Sequence, residues 1–280
     1  MFERDVLLWL SFVVWLITIE GRRSPMKRKS QVMVLAAMLL VGVATGAFAQ
    51  QPTSQIWEVV DVEIKPGMSA QYEAAVLERN AWREEGGYPF GMQAFRANLY
   101  HYRFITYVGD WAGVERSRRW FEPFLAAGVP PDFLEPLQSA TVKLSRSYIR
   151  TRPDLVYVPE GQTFAETFTE AGYVHEIRLF PKPGMTRAYT EAQAAFIPLY
   201  ADSNVQLVRG AWSVWAGANV PEQSLFFPAE SALAFWEERN AGIERMGPEF
   251  RRLQREVLIP TVRNVEIWAW EKRDDLNYQP

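Results

Sequence analysis

Histidine and cysteine are scarce in this chain, and their scarcity limits the chemistry that it can perform. Because the chain has no cysteine, disulfides, thiolate metal sites and cysteine nucleophiles are all excluded. The only histidines are His101 and His175, and neither has the spacing of a metal-ligand motif, so no metal site is predicted. His175, beside Glu176, is the candidate for a lone catalytic base, since imidazole titrates near neutral pH. The alternative is a hydrogen-bonded strand histidine.

Aromatic and basic side chains are concentrated in segments that have the composition of strands. The candidate ligand-binding residues among them are Arg103, Tyr107, His175, Arg209, Trp212 and Trp215. The competing interpretation is that the aromatic rings form the core and the arginines lie on the surface. The chain has no Gly-x-Ser-x-Gly motif and no phosphate-binding glycine loop. Hydrolase and nucleotide-triphosphatase functions are therefore not predicted.

An internal repeat places these residues in two equivalent halves. The sequence Lys65–Met68 recurs at Lys182–Met185, an offset of 117 residues, and Thr141 matches Thr261 at an offset of 120. The offset increases in one direction along the chain, as a few loop insertions between two copies of one unit would produce.

Each copy has the same order of predicted elements, β-α-β-β-α-β. A β-rich run ends at a Lys-Pro-Gly turn, and a helix follows in which Ser69 or Thr186 is the predicted N-cap. The predicted strands are 57–64, 91–99, 102–108 and 141–150 in the first copy and 173–180, 205–215, 224–227 and 261–271 in the second, with a second helix at 111–124 and at 230–245.

This order is that of the ferredoxin-like fold, an antiparallel four-stranded sheet with both helices on one face. The other face of such a sheet needs a cover, and the second copy can provide it. The predicted fold class is therefore α+β, with two ferredoxin-like β-α-β-β-α-β repeats whose antiparallel sheets pack into an intrachain α+β barrel. The predicted domains are a first repeat at 50–155, a linker at 156–172 and a second repeat at 173–280. Such a chain is an intrachain pseudo-dimer, and further homodimerisation through the helices stays open.

The Lys-Pro-Gly turn, the tyrosine-bearing helix and the aromatic closing strand resemble the dimeric α+β barrel superfamily over residues 55–275. The superfamily includes NIPSNAP-like proteins and antibiotic-biosynthesis-type monooxygenases, and this chain resembles a tandem form. The resemblance implies a ligand cleft between helices and sheet, and oxygenase- or isomerase-like chemistry on aromatic compounds. No cofactor is predicted. The alternative implied by the resemblance is haem held through one histidine, His101 or His175.

The N-terminal segment has the pattern of a targeting sequence. Basic residues from Lys27 to Lys29 precede an apolar run from Val32 to Val43, and Ala49 ends a small-x-small cleavage site before Gln50. We expect residues 26–49 to be a signal peptide and residues 1–25 to be an extra leader or the product of a misassigned start, with an uncleaved anchor as the alternative. The predicted mature protein is periplasmic or secreted and is not stably inserted in a membrane.

The net charge of the chain limits the partners that it is expected to bind. The formal net charge is −3, and cleavage before Gln50 would remove six basic and three acidic side chains, leaving −6. A protein of this charge is not expected to bind nucleic acid. The sequence therefore predicts an exported protein that binds a small aromatic or acidic ligand, with a non-catalytic scaffold module of the cell envelope as the alternative.

Overall fold

A computed structural model of the chain describes residues 55–126, 132–217 and 221–280, so the predicted leader segments 1–25 and 26–49 lie outside the described residues. The strands are β1 (Ile56–Ile64), β2 (Met92–Arg96), β3 (His101–Gly109), β4 (Thr141–Thr151), β5 (Tyr173–Pro181), β6 (Gly210–Gly217), β7 (Gln223–Ala229) and β8 (Val262–Lys272). The α-helices are α1 (Ser69–Glu85), α2 (Trp111–Ala126), α3 (Leu134–Ala140), α4 (Phe164–Glu170), α5 (Thr186–Ala194), α6 (Phe196–Asp202) and α7 (Ala232–Arg252). None of the helices in this described part is long and apolar enough to cross a membrane.

The eight strands form one closed barrel in the order β1-β3-β2-β8-β5-β7-β6-β4. Within it, β4-β1-β3-β2 and β8-β5-β7-β6 are two sheets of the same ferredoxin-like order, which confirms the predicted fold class. The two sheets join edge to edge, where β2 pairs with β8 and β4 pairs with β6. The β2–β8 pairing covers two residue pairs and the β4–β6 pairing covers five, so each sheet edge is joined to the other sheet over part of its length.

Alternation along each strand sends one set of side chains into the barrel and the other set toward the helices. On β5, Val174, Glu176 and Arg178 face the interior of the barrel, whereas Ile177 and Leu179 face the helices. This explains why the strands have bulky side chains on both faces. Each repeat thus has its own helix–sheet core, and the barrel interior forms a third cluster.

The predicted linker 156–172 contains a helix that closes one end of the barrel. Helix α4 begins after Thr163, whose side-chain oxygen accepts a hydrogen bond from the backbone N–H of Glu166. Phe164 and Phe168 on this helix pack against Phe226 inside the barrel, with ring centroids 5.5 and 6.0 Å apart. The short Thr-x-x-Glu pattern is a capping box and marks the start of this helix in the sequence.

The segment that follows each closing strand crosses to the other repeat. Tyr157 exchanges two backbone hydrogen bonds of 2.8 and 2.9 Å with Arg209 of the second repeat. Tyr278 exchanges two of the same lengths with Met92 of the first repeat. Arg209 and Met92 therefore occupy equivalent positions, 117 residues apart.

Two local predictions are wrong. Ser69 and Thr186 are not N-caps but the first residues of their helices, because Met68 and Met185 occupy the cap positions. The Ser69 hydroxyl instead donates a hydrogen bond of 2.7 Å to the carbonyl oxygen of Leu99.

The predicted offset of 120 in the closing strands is also wrong by one residue. Thr141 lies opposite Ile64, and the equivalent partner of Pro181 is Val262, so the offset is already 121 at this point. Both strands have a register irregularity there, which leaves one residue out of the pairing in each repeat.

Candidate functional site

A cavity of about 490 Å³ lies in the second repeat, between the outer face of the sheet and helices α5 to α7. Most of its walls are apolar side chains, including Ile177, Leu179, Phe196, Leu225, Phe227 and Phe235. The strand residues reach it because Ile177, Leu179, Leu225 and Phe227 are the outward-facing members of β5 and β7. A cavity of this size and composition is typical of a site for a small apolar molecule.

A kink in α7 shapes one side of the cavity. Gly247 has a φ of 62° and a ψ of −144°, a conformation that glycine adopts without steric cost. Pro248 follows and lacks the N–H that would continue the helical hydrogen bonds. Met246 and Phe250, on the two sides of the kink, both line the cavity. The kink therefore bends the helix around the open space.

The corresponding space of the first repeat is filled by aromatic rings. Tyr88, only 1% exposed, packs against Trp120, Phe121 and Tyr278 with ring centroids 5.0, 5.7 and 6.0 Å away. The two repeats share a fold but differ in how this space is used. The open helix–sheet space therefore lies in the second repeat.

Arg209 is the charged group in the wall of this cavity that is buried most deeply, at 1% exposure. Its Nη2 donates hydrogen bonds to Gln193, at 2.5 Å to the side-chain Oε1 and at 3.4 Å to the backbone oxygen. Its Nε has no hydrogen-bond partner, and no carboxylate of the described residues forms an ion pair with it. A buried cation without a counter-charge is costly unless a partner arrives.

Two polar groups beside Arg209 also lack hydrogen-bond partners within the described part of the chain. The hydroxyl of Tyr189 and the Nε2 of Gln193 are buried and have no hydrogen-bond partner among the described residues. The rings of Phe196 and Tyr200 lie 5.9 and 5.7 Å from the guanidinium carbon. Burial lowers the pKa of Arg209 and raises the pKa of Tyr189. An anionic or hydrogen-bond-accepting group in the cavity would meet the unpaired donors of Arg209 and Gln193, which both line it.

Arg209 is the one predicted candidate that lines this cavity. His175 lies on the same face of β5 but is 3% exposed and stacks on Phe235, with ring centroids 4.3 Å apart. Its Nδ1 lies 3.3 Å from the hydroxyl of Tyr173. Burial, with the positive charge of Arg239, lowers the pKa of His175 to about 4, so its imidazole is neutral at pH 7. His175 does not line the cavity.

The other four candidates lie elsewhere. Arg103 and Trp212 face the barrel interior, where Trp212 packs on Phe226 at a centroid distance of 4.0 Å. Tyr107 is 43% exposed and packs against Trp57. Trp215 is 46% exposed and lies under the guanidinium of Arg150 at 3.9 Å. The structure therefore does not bring the six candidates into one site.

Gln193 and Tyr189, which lie beside Arg209, are not among the candidates that the sequence predicts. Both lie on the buried face of α5, where a polar residue beside Ala192 and Phe196 breaks the apolar spacing. That break is a signal in the sequence, but it does not reveal which strand residue the amide contacts.

Haem held by histidine does not fit this cavity. The two histidines of the chain both lie outside its lining, since His175 packs on Phe235 and His101 lies at the mouth of the barrel with its edge toward Trp268. Among the residues that the structure describes, no cluster of three His, Cys, Asp or Glu side chains has the geometry to hold a metal ion.

Comparison with known proteins supports the fold. A monooxygenase-like protein from Fusobacterium nucleatum subsp. nucleatum has a TM-score of 0.51 and 12% identity, covering 79% of this chain and 94% of that one. An anthrone oxidase-like protein has a TM-score of 0.55 and 10% identity, covering 80% and 92%. The fold is that of the dimeric α+β barrels. At these identities the similarity shows the fold alone.

A heme-binding protein from Thermus thermophilus is also similar, at 8% identity over 79% of this chain and 92% of that one. Its TM-score of 0.40 is too low to support a functional comparison. No family model matches the sequence, and no curated protein matches it. The NIPSNAP resemblance stays a prediction.

Proposed function

We propose that the protein binds an apolar acid, and an aromatic one in particular, in the helix–sheet cavity of its second repeat. The observation that carries this proposal is Arg209, a fully buried cation that faces an apolar cavity with an unpaired Nε and no carboxylate partner in the described chain. A carboxylate would accept hydrogen bonds from Arg209 and from the neighbouring Gln193 amide, which both line the cavity. The apolar walls would hold the hydrocarbon part of the ligand.

The test compares an acid with its uncharged isostere. 4-Phenylbutyrate and 4-phenylbutyramide have the same ring and chain and differ in charge. We expect the acid to raise the melting temperature of the protein and to bind measurably in calorimetry, and the amide to bind far more weakly. Arg209→Gln should weaken binding of the acid at least about 25-fold, because losing one partner of a buried charge pair costs about 2 kcal/mol or more.

Arg187→Gln is the matched control. Arg187 is 91% exposed on α5 and pairs with Glu191, so its removal should leave binding of the acid unchanged. Equal binding of the acid and the amide would contradict the proposal. So would the absence of binding by both compounds, which would favour the scaffold alternative.

An oxygenase-like reaction is the second candidate function, and the names of the two structural neighbours suggest it. A phenol or an enol is also an acid, and Arg209 would favour its ionised form by pairing with the oxygen. Oxygen uptake after adding a ring-activated phenol tests this function. Activity that depends on Arg209 but not on Arg187 would support it, and uptake equal to that of the buffer would exclude it for that substrate class.

We also propose that one chain is the complete folded unit. The barrel closes with strands of a single chain, and the residues after each closing strand cross to the other repeat. Sedimentation equilibrium of the purified protein should give the mass of one chain across the concentration range. A mass of two chains at every concentration would favour the dimer alternative.

Export is proposed from the leader pattern at residues 26–49. Protein sequencing of the chain recovered from cell fractions tests it. We expect the mature chain to start at Gln50 and to be found outside the cytoplasm, whereas an intact leader in the cytoplasmic fraction would contradict the proposal.

A further inference from the structure

The barrel interior contains a second cavity, separate from the helix–sheet cavity described above. It has a volume of about 390 Å³ and opens at the end of the barrel where Glu63 and Lys143 lie. The opposite end is filled by the apolar cluster around Phe168 and Phe226. The cavity is therefore a polar cup with one opening.

Carboxyl groups outnumber cations at the bottom of this cup. Arg103 donates to Asp61 at 2.7 Å and to Glu176 at 2.6 Å. Arg178 donates to Asp61 at 3.0 Å and to Glu176 at 3.3 Å. The third carboxyl, Glu222, lies 3.8 Å from the Nε of Arg178, beyond hydrogen-bond distance. Two arginines thus face three carboxyl groups.

Two of these carboxyl groups have oxygens that accept no hydrogen bond within the described part of the chain. Glu176 is 1% exposed, and its Oε1 has no hydrogen-bond partner in the described part of the chain. Glu222 is 7% exposed, and its side chain accepts no hydrogen bond from the residues that the structure describes. Both side chains line the cavity. A buried acceptor without a donor points to a donor that comes from outside the chain.

The wall of the cup is aromatic. Trp268 and Trp270 stack with ring centroids 5.3 Å apart and both line the cavity. Arg103 lies over Trp270 at 4.5 Å and Arg178 over Trp268 at 5.4 Å, so this wall already accommodates guanidinium groups. Indole faces attract organic cations more strongly than other aromatic rings do.

We propose that the barrel cavity binds a small organic cation of the guanidinium or amine class, which donates to Glu176 and Glu222 and displaces the proton of Glu222. In this step the O–H bond of the Glu222 carboxyl breaks, its proton passes to the solvent, and the resulting carboxylate pairs with the cation. This site is independent of the proposed acid site at Arg209.

The protonation of Glu222 sets the pH dependence. Burial, followed by the negative charge of Glu176, raises the pKa of Glu222 to about 8. The other charged or titratable groups that face this cavity are Asp61, Glu63, His101, Tyr102, Arg103, Lys143, Arg178 and Glu266. A carboxyl with this pKa is ionised in about one molecule in ten at pH 7 and in about nine in ten at pH 9. We therefore expect affinity for the cation to rise about tenfold between these pH values.

The experiment is calorimetry on the purified full chain with benzylguanidine, which stays positively charged throughout, and with its neutral isostere benzylurea. We expect benzylguanidine to bind and benzylurea to bind at least tenfold more weakly. Binding of benzylguanidine at pH 7 should release about 0.9 proton, which is measured from the change in binding enthalpy between buffers of different ionisation enthalpy.

Variants separate this site from the acid site. Glu222→Gln should lower the affinity for benzylguanidine at pH 9 at least tenfold and remove both the pH dependence and the proton release. Glu230→Gln, an exposed glutamate beyond the end of β7, should change neither. Arg209→Gln should weaken binding of 4-phenylbutyrate at least about 25-fold and leave binding of benzylguanidine unchanged.

Three results would overturn the proposal. The first is equal binding of benzylguanidine and benzylurea, and the second is no binding of benzylguanidine at millimolar concentration. The third is binding that Glu222→Gln leaves unchanged or that Arg209→Gln abolishes, since the cation would then occupy a different cavity.

Discussion

Replacing Arg209 by methionine should stabilise the ligand-free protein. The first repeat provides the precedent, because Met92 occupies the equivalent position, with the same backbone pairing to a tyrosine and 2% exposure. The neighbouring Phe196 is 4% exposed, so the new side chain would have an apolar partner. Methionine is flexible enough to fill the space of the arginine stem.

The expected size of the effect follows from the contacts of Arg209. Removing an unpaired buried Nε recovers about 1–3 kcal/mol, and removing an uncompensated buried charge recovers several more. Against this, the Oε1 of Gln193 loses its donor, at about 1–3 kcal/mol, and the contacts of the cation with Phe196 and Tyr200 lose about 2 kcal/mol. The net expectation is a stabilisation of about 1–3 kcal/mol, or about 2–12 °C in melting temperature.

The assay is equilibrium unfolding in guanidinium chloride without ligand, with Arg103→Met as the contrasting variant. Arg103 is also buried, but it is paired with Asp61 and Glu176, so its loss leaves two carboxylates without their partner. We expect Arg103→Met to destabilise the protein by about 3–5 kcal/mol. Two buried arginines should therefore give effects of opposite sign.

The reasoning would be refuted if Arg209→Met destabilised the protein as much as Arg103→Met. Arg209 would then be satisfied within the ligand-free protein, and its burial would no longer point to an anionic ligand. Near-ultraviolet circular dichroism checks that both variants keep native side-chain packing before they are unfolded.

Three further predictions concern titration and packing. Because burial raises the pKa of Glu222 to about 8, the native state holds a proton that the unfolded chain releases near pH 4.5. The free energy of unfolding should therefore fall as the pH rises from about 5 to 8, by up to about 1.4 kcal/mol per pH unit. Glu222→Gln should remove this slope in urea titrations. The lowered pKa of His175 has the opposite consequence, since the unfolded chain binds a proton near pH 6.5 and the native state does not. The free energy of unfolding should therefore fall as the pH drops from 6.5 toward 4. A His175→Phe variant that kept this acid sensitivity would show that another group causes it. Phe168→Ala should destabilise the protein by about 3–5 kcal/mol by opening the closed end of the barrel, and a loss below about 1 kcal/mol in thermal unfolding would mean that α4 does not seal it.

The repeat and the alternation of side chains were enough to predict the fold. Matching Lys-Pro-Gly turns and period-two strands define two β-α-β-β-α-β units, and bulky residues on both strand faces require a cover on each side. These are local properties, which is why the predicted order of elements agrees with the observed one, although the strand predicted at 205–215 is observed at Gly210–Gly217. Helix α4 was missed because its seven residues are too few for a periodic pattern, and only its capping box marked it.

The sites depended on the tertiary structure. The sequence predicts Arg103 and Arg209 as similar strand residues. In the structure Arg103 lies on β3 and pairs with two carboxylates, whereas Arg209 lies just before β6 and lines an apolar cavity. The contact between Asp61 and Arg178 joins residues 117 positions apart, across repeats that local patterns cannot bring into register.

The architecture of this protein can therefore be read from its sequence, because strand and helix periodicity are visible within a few residues. The polar groups without partners in the described part of the chain, such as the Nε of Arg209 and the Oε1 of Glu176, are identified only from the closed barrel. Whether a buried charge is satisfied depends on the sum of its interactions with neighbours from distant parts of the chain. Arg103 and Arg209 differ in this respect, because Arg103 pairs with Asp61 and Glu176, whereas the Nε of Arg209 has no hydrogen-bond partner among the described residues.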